Sequence, residues 1–182
     1  MSEPSPLLAP LKPAVAVPRL WNGTRFVPDA WRTIADADPF PIDGRAIASL
    51  ARWRQTQESL AACGVPVGVR IEPADAIDPE TDDLGRLAVI ALVFPKFSDG
   101  RAYSTGRHLR EVVGYRGEIR ATGDVLLDQL PLMLCCGFDA FEIVNAAAIA
   151  ALELAPIPAV ARVYQNGAET IGAGVWKSRR RA

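Results

Sequence analysis

The eight consecutive apolar residues from Leu87 to Phe94 constrain the fold of this chain more than any other stretch. A run without a polar residue suits a strand buried on both faces, as in a parallel sheet covered by helices. The run ends at Pro95, and the chain turns at Asp99-Gly100 before a helix-like segment. Two further strand-like segments follow, separated by helix-like ones. The pattern is therefore βαβαβ.

The rest of the chain extends this pattern. In addition to residues 87–94, the predicted parallel strands are 67–71, 118–121, 140–144 and 161–165. The predicted helices are 46–63, capped by Gly64, then 104–113 with Ser104 as N-cap, 125–136 with Asp124 as N-cap, and 146–154. Pro131 cannot donate a backbone hydrogen bond, so it either kinks the third helix or lies in the first turn of a second one.

These elements predict an α/β fold whose parallel sheet has about four to six strands around the βαβαβ core. A complete eightfold barrel typically needs about 250 residues and at least about 200. The 182 residues argue against it. A partial barrel and a flavodoxin-like sheet both remain compatible with the sequence.

The N-terminal region divides into a tail and a hairpin. Residues 1–18 contain five prolines and almost no charge, which predicts a disordered or polyproline II tail. Residues 19–27 predict a β-hairpin, with Asn22-Gly23 as a type I′ turn. Trp31 is expected to cover core. We expect one α/β domain over 19–165 and a C-terminal tail over 166–182.

Composition limits the function classes. The net charge of −1 gives no general affinity for nucleic acid or an anionic membrane. No apolar stretch reaches the roughly 20 residues of a membrane span. The three cysteines are few and odd in number, which favours a protein of the reducing cytoplasm over one held by disulfides. With only three cysteines and one histidine, a zinc or iron–sulfur site is improbable. No dinucleotide fingerprint or phosphate loop is present. Flavin binding needs no short motif, so it stays open as a cofactor.

Polar side chains lie near or after the predicted carboxyl ends of the parallel strands, where ligands of α/β proteins bind. These residues are Lys96, Asp99, Arg101, Ser104, Arg120, Asp124, Asp128 and Glu142. The three cations, with the two helix starts nearby, could hold a small oxyanion. In the alternative, Arg101 pairs with Asp124 or Asp99 and only fastens the loops. Asp124, Asp128 and Glu142 could bind a divalent cation, but a helix cap and an exposed carboxylate give the same pattern, so we predict no metal site.

Four motifs together form a specific combination. They are Phe97-Ser-Asp-Gly-Arg101, Gly117-Glu-Ile-Arg-Ala-Thr-Gly-Asp124, Asp128-Gln129 and Cys136-Gly-Phe-Asp-Ala-Phe-Glu142. Over roughly residues 19–165 the chain resembles a bacterial family, the domain of unknown function nine hundred and thirty-four. Its members are often described as oxidoreductases involved in sulfite reduction, and their genes commonly lie beside those of assimilatory sulfite reductase.

The resemblance implies an accessory protein or oxidoreductase component of assimilatory sulfite reduction, hence of sulfur assimilation and cysteine biosynthesis. Sulfite reductase is then the expected partner. The resemblance also adds Gln129 to the candidate site. We expect Arg101 and Arg120 to hold the anion, and Asp99 and Asp124 to orient these arginines. Two alternatives stay open, a non-catalytic scaffold that docks on the reductase and a subunit that carries a noncovalent flavin.

Overall fold

A computed structural model describes residues 18–41, 44–78, 82–96 and 98–155. The strands are β1 Arg19–Trp21, β2 Phe26–Val27, β3 Arg32–Thr33, β4 Ala46–Ser49, β5 Val67–Ile71, β6 Leu87–Phe94, β7 Glu118–Gly123 and β8 Ala140–Ile143. The α-helices are α1 Leu50–Cys63, α2 Arg101–His108, α3 Leu130–Cys135 and α4 Ala146–Leu154. The predicted N-terminal tail up to residue 17, the strand 161–165 and the tail 166–182 lie outside the described residues.

The strands form one curled, half-barrel sheet in the order β2-β1-β8-β7-β6-β5-β4-β3. From β3 to β8 each strand pairs in parallel with the next strand along the chain, while β1 is antiparallel to both β8 and β2. The mainly parallel α/β prediction is confirmed. The sheet has eight strands, more than predicted, because the short strands β3 and β4 were not expected and the hairpin strands β1 and β2 also join the sheet. A sequential parallel order is that of a barrel, so the partial-barrel alternative is correct and the flavodoxin-like one is wrong.

A short connection between the two edge strands requires the sheet to curl. Only four residues, 28–31, separate β2 from β3, which are the outermost strands. In a flat sheet the seven strand spacings would separate these edges by about 34 Å. The five Cα–Cα steps of the connection reach at most about 19 Å. The connection therefore crosses the concave side of a curled sheet.

The two faces of the sheet carry different cores. Ile90, Leu92 and Phe94 point to the convex face and share one buried cluster with residues of all four helices. Val89 and Ala91 point to the concave face and pack with Ile47 under Trp31, which belongs to the connection 28–31. The apolar run Leu87–Phe94 is thus buried on both sides, and Trp31 covers core, as the sequence predicts.

The N-terminal hairpin and the first helix differ in detail from prediction. The hairpin exists, but its turn is not type I′, because only Gly23 has a positive φ and four residues separate the paired strands. The Asn22 side chain instead accepts the backbone N–H groups of Thr24 and Arg25. The predicted helix 46–63 begins later, at Leu50. Residues Ala46–Ser49 form a strand instead, because their backbone pairs with β3 on one side and with β5 on the other.

The second helix begins earlier than predicted. α2 starts at Arg101, directly after the Asp99-Gly100 turn, so Ser104 lies inside the helix and is not its N-cap. The Asp99 carboxylate accepts the backbone N–H of Arg101, which brings the chain into helical geometry at once. After α2 a π-helical turn continues to Val113 and ends at Gly114, whose φ is +72°. The end of this helical segment is therefore as predicted.

The predicted helix 125–136 is shorter in the structure. A 3-10 turn over Leu127–Gln129 precedes α3, and Pro131 lies in the first turn of α3, so the second-helix alternative is confirmed. Asp124 is not a helix N-cap, because the helical turn begins at Leu127, after Leu126. Asp124 lies just past β7, where its backbone N–H donates to the Phe94 carbonyl. The helix over 146–154 is as predicted and is capped by Asn145. Among the described residues, no helix is long and apolar enough to cross a bilayer.

Candidate functional site

The parallel strands bring several predicted site residues to one edge of the half-barrel. We call the residues that directly follow the carboxyl ends of β5 to β8 the carboxyl edge. Lys96, Asp99 and Arg101 follow β6 at this edge, and Asp124 follows β7. Lys96 and Asp124 are exposed to solvent. The edge therefore presents both cations and carboxylates to water.

Arg101 is held across two neighbouring loops of the carboxyl edge. Its Nε and Nη2 donate to the two carboxylate oxygens of Asp99, at 3.0 and 2.7 Å, and its Nη1 donates to the Pro73 carbonyl after β5 at 3.2 Å. This is the pairing with Asp99 that the sequence left as an alternative. Hydrogen bonds from the Arg101 side chain lower the pKa of Asp99 to about 2. The pair is thus ionised throughout the physiological range, while 62% of the Arg101 side chain remains exposed.

Arg120 lies elsewhere, on the concave face. β7 runs to Gly123, two residues beyond its predicted end, so Arg120 lies within the strand and not at its end. Its side chain is 1% exposed and is surrounded by the carboxylates of Asp29, Glu118 and Glu142. The shortest contacts join Nη1 to Asp29 at 2.7 Å and Nε to Glu118 at 2.8 Å. Burial by itself lowers the pKa of Arg120, but these carboxylates outweigh it and raise the pKa.

Glu142 belongs to this concave cluster and not to a site with the other predicted acids. Its Oε2 accepts the Thr122 hydroxyl at 2.8 Å, and its Oε1 lies 3.4 Å from Nη1 of Arg120. Arg120 pairs across the sheet with Ala140, two residues before Glu142. In the part of the chain that the structure describes, no group of three or more His, Cys, Asp or Glu residues could hold a metal ion.

The remaining candidates lie on the convex side, among the helices. Ser104 is exposed on α2, while Asp128 and Gln129 belong to the 3-10 turn before α3. Asp128 and Asn145 line a cleft of about 300 Å³ between this turn and the start of α4. The predicted set is therefore divided among the carboxyl edge, the concave cluster around Arg120 and the helices of the convex side, where Asp128 lines this cleft.

Two acids that anchor this arrangement were not among the predicted site residues. Asp29 belongs to a polar segment that the sequence indicates only as turns, and it lies 91 residues away from its partner Arg120. Asp139 pairs with Arg110, which also donates to the carbonyls of Tyr115, Gly117 and Gly137. Burial raises the pKa of Asp139. No local pattern marks such long-range ion pairs, so the sequence gives no signal for them.

The adjacent cysteines offer no activated thiol. Cys136 is buried at the end of α3 and Cys135 is partly buried. Burial raises the pKa of both thiols above the ordinary value, so the thiolate form is scarce near neutral pH. In a catalytic site, nearby cations lower the pKa of a nucleophilic thiol below its ordinary value. The charge of Arg107 lowers the pKa of Cys136, but burial raises it by more. Cys136 is a small packing group of the convex core.

Comparison with known proteins places the chain in a family. The model of a family of bacterial proteins of unknown function, DUF934, matches residues 68–173, which are more than half of the chain. This range includes all of β5 except its first residue, together with β6 to β8, α2 to α4 and the loops of the carboxyl edge. A search of the curated proteins found no match. The chain belongs to the DUF934 family of bacterial proteins of unknown function.

Proposed function

We propose that this protein is an accessory component of assimilatory sulfite reduction in the cytoplasm, and that it binds sulfite or another small oxyanion at the carboxyl edge. Two things support the proposal. The motifs around Arg101 and Asp124 resemble those of proteins whose genes lie beside sulfite reductase. The geometry of the carboxyl edge is suited to an oxyanion.

The observation that carries the proposal is the hydrogen-bonding capacity left on Arg101. A guanidinium has five N–H donors. The contacts to Asp99 and Pro73 use three of them, so two donors, one on each terminal nitrogen, are left among the described residues. A guanidinium that is largely exposed and has a spare N–H on each terminal nitrogen can donate to the oxygens of a planar or pyramidal oxyanion. Lys96, exposed in the same loop, adds a second positive charge.

Arg120 has no place in this proposal. Its contacts to Asp29, Glu118 and Glu142 use four of its five donors, and its side chain is almost inaccessible. Three surrounding carboxylates give the cluster a formal charge of −2, which repels an anion. Arg120 holds the concave face together, whereas Arg101, oriented by an ionised Asp99, meets the ligand.

Calorimetric titration with sulfite tests the site. We expect wild-type protein to bind sulfite, and Arg101→Ala to weaken binding about 10- to 100-fold, the usual effect of losing hydrogen bonds from a charged group. Lys96→Ala should weaken it less, because a lysine acts here as a point charge. Arg116→Ala is the matched control, since Arg116 is exposed near the opposite end of the sheet. Sulfite affinity that is equal in Arg101→Ala and Arg116→Ala would contradict the assignment.

The same proposal gives sulfite reductase as the partner. Co-purification from cell extract with wild-type protein and with Arg101→Ala separates the two parts of the proposal. Retention of the reductase by both proteins, with sulfite binding lost only in the variant, is the expected result. Retention without sulfite binding in either protein would favour the scaffold, and uptake of added flavin by the purified protein would favour the redox subunit.

A further inference from the structure

A cavity of about 350 Å³ lies on the concave face of the sheet, beside the end of β4. Ser49, the last residue of β4, lines it together with Arg70 of β5 and with residues 33–36, which continue past β3. Arg70 pairs across the sheet with Ala91, so the two side chains share the concave face. We call this space the β4 cavity. It lies near the carboxyl ends of two parallel strands, where barrel-like sheets bind their ligands.

The Arg70 side chain brings a guanidinium with unused donors to this cavity. It is 44% exposed, and its Nη2 lies 3.2 Å from Oε1 of Glu72, whose side chain is 41% exposed. An exposed contact of this kind contributes little to stability, so a ligand carboxylate can replace Glu72. A guanidinium has five N–H donors. Among the described residues, Arg70 forms no other ion pair or hydrogen bond through them. Arg70 is therefore available to a carboxylate.

Asp36 supplies the opposite charge to the same cavity. Its Oδ1 accepts the Ser49 hydroxyl at 2.7 Å, while its Oδ2 has no partner in the part of the chain that the structure describes. The Ser49 hydroxyl oxygen also accepts the backbone N–H of Arg52, in the first turn of α1. The hydroxyl is thus fixed on both sides and holds the Asp36 carboxylate in place. The second carboxylate oxygen is available to an ammonium group.

Asp36 and Arg70 lie on either side of Ser49. Ser49 pairs with Arg70 across β4 and β5, about 5 Å away, and Asp36 contacts Ser49 from the side of β3. The two charged side chains thus reach the cavity from positions about two strand spacings, or 10 Å, apart. They form no ion pair with each other.

An α-amino acid has the right length to bridge these two side chains. Its ammonium nitrogen and carboxylate oxygens are about 3 Å apart. A hydrogen bond of about 2.9 Å at each end extends the reach of the ligand to about 9 Å.

We propose that the β4 cavity binds a small α-amino acid, whose carboxylate meets Arg70 and whose ammonium group meets Asp36. Asp36, Glu72 and Arg70 together have a formal charge of −1, which disfavours a simple anion, and a simple cation leaves the donors of Arg70 unused. A zwitterion uses both charges. The volume, at the lower end of the range of about 300–1,000 Å³ for small-molecule sites, suits a short side chain beside Ala35 and Ile47. This site does not depend on the carboxyl edge, and neither the family nor the sulfite proposal assigns it.

Calorimetric titration of the full chain tests this proposal, with L-alanine as the probe and with acetate and methylammonium as its two halves. We expect L-alanine to bind, and each half to bind at least about tenfold more weakly at the same ionic strength, because each half meets only one charge. Arg70→Met and Asp36→Asn should each weaken the binding of L-alanine about tenfold or more. Asp36→Asn keeps an oxygen for the Ser49 hydroxyl, so the segment after β3 stays in place.

Two matched controls remove the same charges at the other end of the strands. Arg45 and Asp83 are exposed close to the amino ends of β4 and β6, so Arg45→Met and Asp83→Asn should bind L-alanine as wild type does. No binding of L-alanine, equal binding of L-alanine and either half, or equal affinity in Arg70→Met and Arg45→Met would overturn the proposal. The comparison of the three ligands uses wild-type protein alone, so it decides the question even if a variant does not fold.

Discussion

Replacing Arg120 by methionine should destabilise the fold strongly. The change keeps most of the side-chain volume but removes the cation from three carboxylates, whose side chains are 20–33% exposed. Removing one partner of a fully buried ion pair costs about 3–5 kcal/mol. Because water partly reaches these three carboxylates, we expect a smaller loss of about 2–4 kcal/mol in the free energy of unfolding. That is a large share of the roughly 5–15 kcal/mol of a typical domain.

Urea unfolding followed by tryptophan fluorescence measures this loss. The midpoint should fall while the dependence on urea stays constant, which shows that stability and not compactness has changed. In thermal unfolding, the expected loss corresponds to a decrease in Tm of about 4–16 °C for a chain of this size. Arg86→Met is the matched control, because Arg86 forms an exposed pair with Asp83, three residues before it, at 2.6 Å. Its loss should be below about 0.5 kcal/mol.

A double-mutant cycle shows whether the connection 28–31 is the part that Arg120 holds. Asp29→Asn keeps the oxygen that accepts the Trp31 N–H and removes the charge that faces Arg120. We expect a coupling energy above about 1 kcal/mol between Arg120→Met and Asp29→Asn. If Arg120→Met is no less stable than Arg86→Met, or if the effects of Arg120→Met and Asp29→Asn are additive, the concave cluster does not fasten this connection.

Two further substitutions test a close packing contact at Gly106 and an ion pair at Asp82. A Cβ at Gly106 would lie 2.7 Å from Cε2 of buried Phe138, so Gly106→Ala should lose about 1–3 kcal/mol of stability, although alanine has the better helix propensity. Gly100→Ala is the control, because Gly100 has open space around it, and it should change stability by less than about 0.5 kcal/mol. Equal losses in the two variants would refute the close contact at Gly106. Folding lowers the pKa of Asp82, chiefly through its hydrogen bond with Arg54, so its stabilising effect is complete above the ordinary value of 3.8 and is lost as pH falls through the lowered pKa. Asp82→Asn should therefore be less stable than wild type by about 1–3 kcal/mol at neutral pH and equally stable in strong acid, and a stability difference that is independent of pH would contradict this.

The sequence predicts the parts of this fold that depend on local patterns. The apolar run Leu87–Phe94 indicates a strand buried on both faces, and Gly64 and Gly114 mark helix ends through positive φ angles. The sequence does not indicate β3 or the strand Ala46–Ser49, because they are short. Their strand character comes from parallel neighbours and not from their own periodicity.

The candidate site was predicted only in part, for a physical reason. Arg101 and Asp99 are two residues apart, so their proximity follows from local geometry and could be expected. Of the partners of Arg120, Glu118 is two residues away on the same strand, but Glu142 comes from a neighbouring strand and Asp29 from a connection 91 residues away. They meet because the sheet curls, and that curl follows from the order of all eight strands. Ion pairs that depend on the complete topology leave no mark in one sequence.

Growth of a gene-deletion strain on sulfate, sulfite or sulfide as the sole sulfur source tests the central proposal most directly. We expect failure on sulfate and on sulfite, with growth restored by sulfide. Wild-type protein and Arg116→Ala should restore growth on sulfite, whereas Arg101→Ala should not. Normal growth of the deletion strain on all three sources, in a strain without a second copy of the gene, would contradict a role in sulfite reduction.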